Sequence, residues 1–267
     1  MTLWCNGEFV DHLSLDPAER GLMLGDGIFE TLAVRGGKAV WLEEHLARLE
    51  SSARELGLPC DFAAIRAALL EVLKTSQSQS EVLRITLTRG PTKRGLAAEA
   101  ERPSLIVSLN PFDATKLPTS VRLATSAIRR NATSPASRLK TLSYIDAIAA
   151  ARKVAAKADD ALMLNTDGNV ASTTIANIFL LKGKKLITPA EDQAILKGIT
   201  RGKLIAGGSE LGLSVECRAV RPEVLLASDA IFLTNSLRLA VPVTTLDGVA
   251  CGTRSIDFIK AFLTSKK

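Results

Sequence analysis

The sequence predicts an α+β fold in two mixed domains. Three observations carry this. Alternating strand segments and amphipathic helical segments are interspersed without the strict strand–helix–strand order of a doubly wound sheet. A stretch of little periodicity at 110–120, holding Pro111 and Pro118, separates two such mixtures. The chain has 267 residues, enough for one large domain or two modest ones, and it shows no internal repeat. The expected domains are a smaller one at 1–114 and a larger one at 119–267, the latter carrying the functional lysine discussed below.

Each element has its own justification. "LWCNGEFV" alternates about Asn6-Gly7, a strong hairpin signal. "GDGIFE" (25–30) is a glycine-rich turn that lacks the dinucleotide fingerprint and opens no helix. Leu42, Leu46, Leu49, Ala53 and Leu56 form one apolar face, so 42–56 is a helix, and 63–74 reads as a second. "VLRITLTRG" (82–90) and "SLIVSLN" (104–110) read as strands. The second half opens with the strand "SVRLATSAI" (120–128). A loop with Asn131, Ser134 and Pro135 then leads to Lys140. Residues 145–157 are alanine-rich and helical; "ALMLNTDGNVAS" and "ANIFLLKGKKLITP" are hairpins. A helix is expected over 199–211, ending near Gly212. "AIFLTNSLRLAVPV" is strand, polar turn, strand, and a last helix runs from Ser255 to Phe262.

Composition excludes several classes of function. Hydrophobic residues make up 46 % and charged residues 23 %, as in an ordinary globular enzyme. Cys5, Cys60, Cys217 and Cys251 are far apart and form no metal-knuckle or redox pair. With no signal-peptide pattern at the start, they suggest a reducing, cytoplasmic setting. No apolar run is long enough to span a bilayer. The net charge is +6, but basic and acidic residues interleave. The densest basic spot, "KGKK" (182–185), reads as a solvated turn without aromatic neighbours, which argues against nucleic-acid binding. The two histidines, His12 and His45, support neither a metal site nor a serine triad. His45 reads as a partly solvated helix residue beside Glu43 and Glu44. The chemistries left are those of lysine, hydroxyls and bound phosphate, which are the needs of pyridoxal 5′-phosphate (PLP).

Five segments taken together resemble the class IV aminotransferase family, the fold-type IV PLP enzymes. They are "RGLMLGDGIFET" with "EEHLARL" (20–49), "RLKTLSYIDAI" (138–148), "DDALMLNTDGNVASTTIANIFLLKGKKLITP" (159–189), "ILKGITRGKLI" (195–205) and, more weakly, "FLTNSLRLAVPV" (232–243). The resemblance covers nearly the whole chain. It implies the two-domain D-amino acid aminotransferase-like architecture and a homodimer acting on a small amine or amino acid.

It also implies roles for single residues. Lys140 matches the Schiff-base lysine, which needs a depressed pKa. Arg48 matches the phosphate-binding arginine; an i, i+4 pair with Glu44 is its plainer reading. Gly198, Ile199 and Thr200 open a helix whose N–H groups and hydroxyl would meet the phosphate. Tyr144 falls where members hydrogen-bond the ring hydroxyl, or is a half-buried core residue. Asn235 and Ser236 match a polar turn facing cofactor and substrate. Phe29 and Arg94 match substrate-facing positions, with Arg89 the second arginine of that segment.

Ser172 departs from the pattern. Most members carry a glutamate there, which pairs with the pyridine nitrogen and keeps it protonated. A serine would hydrogen-bond the nitrogen without supplying charge, and the electron sink weakens. Elimination to an aromatic product tolerates this better than transamination. The expected activity is therefore 4-amino-4-deoxychorismate lyase. A D- or branched-chain aminotransferase is the alternative, and a cofactor-binding protein that has lost turnover a second one.

Overall fold

The structure, a computed structural model, describes residues 1–99 and 102–267. Two units are distinguished: Met1–Lys116 with Leu139–Ser143, and Leu117–Arg138 with Tyr144–Lys267. Each is a sheet with helices, an α+β arrangement.

The first unit comprises β1 (Thr2–Cys5), β2 (Glu8–Phe9), α1 (Arg20–Leu24), β3 (Gly27–Arg35), β4 (Lys38–Ala39), α2 (Leu42–Glu55), α3 (Phe62–Leu73), β5 (Ser80–Thr88) and β6 (Ser104–Pro111). Asn6 (φ 48°) and Gly7 (φ 114°) supply the positive φ values of the first hairpin. The six strands run β2-β1-β6-β5-β3-β4, and every neighbouring pair is antiparallel. Alternation along β3 puts Ile28, Leu32 and Val34 on one face, where they pack in one core with Leu46, Leu49 and Ala53 of α2 and Ile65, Leu69 and Val72 of α3. Glu30 lies on that same face of the strand, and its burial demands partners.

Residues 139–143 belong to this unit, although the sequence places Lys140 in the C-terminal domain. The reason is backbone pairing. Phe29 donates its N–H to the Lys140 carbonyl and Leu142 donates to Gly27, both at 2.9 Å, and Thr141 bridges to Ile28. Gly27 permits this approach, since a Cβ there would lie 2.7 Å from the Leu87 carbonyl and 2.9 Å from Leu142.

The second unit comprises β7 (Val121–Arg130), α4 (Pro135–Arg138), α5 (Ile145–Val154), β8 (Asp160–Asn165), β9 (Val170–Thr173), β10 (Asn177–Lys182), β11 (Lys185–Pro189), α6 (Ile199–Ala206), β12 (Ser214–Arg218), α7 (Pro222–Leu226), β13 (Ala230–Asn235), β14 (Leu239–Leu246), β15 (Val249–Ala250) and α8 (Asp257–Ser265). Its nine-stranded sheet runs β12-β11-β10-β13-β14-β7-β8-β9, with β15 beside β14. The sheet is mixed: β7–β8, β7–β14 and β11–β12 are parallel. Leu123, Leu162, Ile178, Ile187, Ile231 and Val241 share one core. Alanines let α5 lie close to the sheet: Ala150 and Val154 pack with Ala124, Ala161 and Met163. The expected helix over 199–211 stops at Ala206. Gly207 sits against Phe262, where a Cβ would fall 1.9 Å from the ring. The one-turn helices α1, α4 and α7 are too short to leave a period in the sequence. Among the described residues no helix is long and apolar enough to cross a membrane, and no cluster of His, Cys, Asp and Glu could hold a metal.

Candidate active site

In the first unit the site begins with the strand period. Phe29 and Glu30 are neighbours on β3 and so point to opposite faces. Glu30 is 1 % exposed. Its carboxylate accepts from Arg48 Nε and Nη2, one bond to each oxygen, both at 2.7 Å. His45 Nδ1 meets Oε2 at 2.7 Å. His45 and Arg48 are three residues apart on α2, so one helix face delivers both. Burial alone would push the Glu30 carboxyl up. The Arg48 charge and the hydrogen bonds from His45 and Arg48 outweigh burial and hold it at about 2. His45, expected to be partly solvated, is fully buried, because this carboxylate gives it a partner inside.

On the other face, Phe29 is buried and carries two cations: Arg84 Cζ is 3.9 Å and Lys140 Nζ 4.2 Å from its ring centroid. Burial lowers the Lys140 pKa to about 8; the Glu30 charge opposes this, and Arg48 and Arg84 add to it. The amine is thus neutral far more often near pH 7 than a solvated lysine's. The unit brings Lys140, Phe29 and Arg48 together, and adds Glu30, His45 and Arg84, which sequence reasoning passed over. The Glu30–His45–Arg48 knot left one usable signal, a glutamate among apolar residues on the helix-facing side of a strand.

The two arginines of the 89–94 segment part company. Arg89 donates to Asp26 (2.8 Å) and to the Leu56 and Gly57 carbonyls (2.8 Å each), which ties down the end of α2. Arg94 is exposed. The two residues after it, Gly95 and Leu96, are held by Arg20 through their carbonyls at 2.8 and 3.0 Å.

In the second unit, Ser172 on β9 is 4 % exposed. Its hydroxyl donates to the Thr173 carbonyl (2.8 Å) and accepts from Arg130 Nη1 (2.9 Å). Arg130 ends β7 and also donates to the Ser137 carbonyl at 3.1 Å. Tyr144, partly buried, stands at the start of α5, in electrostatic reach of Arg130. At the start of α6, Gly198 is the cap residue and no side chain caps the first turn. The absence of a side chain at Gly198 makes room for Asn177: a Cβ would lie 2.0 Å from Asn177 Oδ1, whose amide donates to the Leu196 carbonyl at 2.9 Å. Ile199 and Thr200 form the first turn. Asn235 Oδ1 accepts from the N–H groups of Leu237 (3.2 Å) and Arg238 (2.9 Å), so this oxygen builds the turn itself. Ser236 is partly buried in that turn.

These residues fit PLP. The cofactor needs an amine that is partly neutral, and Lys140 offers one. It also needs hydrogen-bond partners, and the buried hydroxyls of Thr141, Thr200 and Thr234 have none among the described residues. Each adjoins an expected site position: Thr141 follows Lys140, Thr200 lies in the first turn of α6, and Thr234 precedes Asn235.

Comparison with known proteins agrees. The family model described as "Amino-transferase class IV" matches residues 27–246. An aminodeoxychorismate lyase of Bacillus subtilis is 27 % identical over 95 % of this chain and 89 % of its own. A bifunctional aminodeoxychorismate lyase / D-amino acid transaminase of Mycobacterium tuberculosis is 32 % identical over 84 % of this chain and 83 % of its own. Among solved structures, the PLP-bound form of a hypothetical aminotransferase from Mycobacterium tuberculosis is 28 % identical with a TM-score of 0.89, covering 100 % of this chain and 98 % of that one.

Proposed function

Because the chain belongs to the class IV aminotransferase family and is a PLP-dependent enzyme, we propose that its reaction is that of a 4-amino-4-deoxychorismate lyase, yielding pyruvate and 4-aminobenzoate. Bound PLP supplies an aldehyde that captures an amine and a ring that withdraws electrons from it. Lys140 would hold the cofactor through its amine and, once free, would act as the base. Its Nζ then removes the proton from the ring carbon that bears the substrate amine. As the bond from the ring to the enolpyruvyl oxygen breaks, the ring becomes aromatic, and the departing enolpyruvate takes up a proton to become pyruvate. The lowered pKa of Lys140 suits both roles. Arg48, fixed by Glu30, and the first turn of α6 with Ile199 and Thr200 hold the phosphate. Tyr144 meets the ring hydroxyl, Asn235 and Ser236 line the cofactor, and Phe29 and Arg94 face the substrate.

The observation that carries elimination over transfer is Ser172. A hydroxyl bound to Arg130 stands where the resemblance places a carboxylate. A weaker sink hampers transfer, whereas formation of the aromatic ring drives elimination. Amino transfer from D- or branched-chain amino acids is the second reading, supported by the Mycobacterium tuberculosis relative whose name couples both activities. The test is to supply aminodeoxychorismate alone, and separately an amino acid with a 2-oxo acid. Pyruvate with 4-aminobenzoate bears out the lyase; transfer without pyruvate release overturns it. A coloured protein with no rate on either would be a binding protein. The reading extends to a cytoplasmic homodimer serving folate biosynthesis, which sedimentation tests for the dimer.

A further inference from the structure

Resting on the reading above, in which Ser172 stands at the ring-nitrogen end of the cofactor, we propose that Arg130 and Ser172 together hold that nitrogen unprotonated. The geometry of the pair gives the reason. Arg130 donates to two neutral oxygens, Ser172 Oγ at 2.9 Å and the Ser137 carbonyl at 3.1 Å. The acidic groups in its electrostatic reach are Tyr144 and Asp146 at the start of α5. Among the described residues no carboxylate closes an ion pair with it. Burial pulls its pKa below the ordinary arginine value, yet a guanidinium keeps its charge at any physiological pH.

The Ser172 proton is directed at the Thr173 carbonyl, 2.8 Å away. The oxygen that would face a ligand is therefore an acceptor already polarised by a cation. A protonated ring N–H would meet a poor acceptor with a positive charge behind it. Like charges in a buried setting raise the free energy of the protonated form. A neutral ring nitrogen meets a better situation. The hydroxyl can turn from Thr173 and donate to it, and the guanidinium makes that hydroxyl a stronger donor. Both effects favour the neutral ring.

The test uses holoenzyme reconstituted with PLP labelled with ¹⁵N in the ring, read by ¹⁵N NMR across neutral pH. The expected resonance is that of an unprotonated pyridine, unchanged from the acid to the alkaline side. Ser172→Glu should move it to the protonated position. Arg130→Met should bring the nitrogen's titration into the observed range, an upward shift of about one pKa unit or more. A protonated nitrogen in the parent enzyme overturns the inference, and so does an Arg130→Met spectrum identical to the parent's. Borohydride reduction in parallel separates the two layers. An adduct on Lys140 with a protonated nitrogen sinks only this inference, whereas failure to form any adduct sinks the reading on which it rests.

Discussion

Arg48 and Arg130 each bring a guanidinium into the interior of their unit, and the two are satisfied in opposite ways. Arg48 is forked on the Glu30 carboxylate, with His45 on the same oxygen pair. Arg130 has a hydroxyl and a carbonyl. The matched cation is fixed in place for the phosphate it is proposed to hold, and removing its carboxylate leaves buried charge behind. The unmatched one leaves net positive charge inside its unit, and that charge acts on whatever comes beside it. That both arginines are partly buried therefore says little about role; the formal charge of their partners separates them.

The comparison can be broken in four ways. Glu30→Ala strips the carboxylate from buried His45 and partly buried Arg48 and should cost about 3–5 kcal/mol of unfolding free energy in denaturant titration of the apoprotein; a loss below about 1 kcal/mol would mean the knot does not hold the unit together. The same carboxyl sets an acid limit. Its folded pKa is about 2 against an ordinary 4.5, so its contribution is fully present above 4.5 and disappears as pH falls through 2. The size is about 3 kcal/mol, read as the difference between parent and Glu30→Gln in melts at several pH values. Arg130→Met should by contrast leave stability within about 1 kcal/mol of the parent, because no buried anion is orphaned. The smallest effect is on Lys140 itself. Arg84→Met removes a cation from the shared Phe29 ring and should raise the pH midpoint for acylating Lys140 in the apoprotein above about 8, while Glu30→Gln should lower it. Shifts of the opposite sign would refute the electrostatic account of that amine.

Most of the fold was legible because its elements are long and periodic. The four–three spacing from Leu42 onward marks α2 to within a residue, and Asn6-Gly7 marks the first turn. What escaped depends on pairing between distant segments. Lys140 packs with the first unit through backbone bonds to β3, which no local pattern encodes. The Glu30–His45–Arg48 knot joins a strand to a helix fifteen residues on and more, and only the oddity of a glutamate on an apolar face hinted at it. Arg130 was invisible for the same reason: it meets Ser172 across forty-two residues. The glycine before α6 was legible as a glycine, but its reason, room for Asn177, was not.

Borohydride reduction of the PLP-loaded protein, followed by peptide mapping, tests the central claim most directly. The phosphopyridoxyl group should lie on the peptide containing Lys140, with the remaining lysines unmodified. A stable mark on any other lysine, or none on a protein shown to have taken up the cofactor, would contradict it.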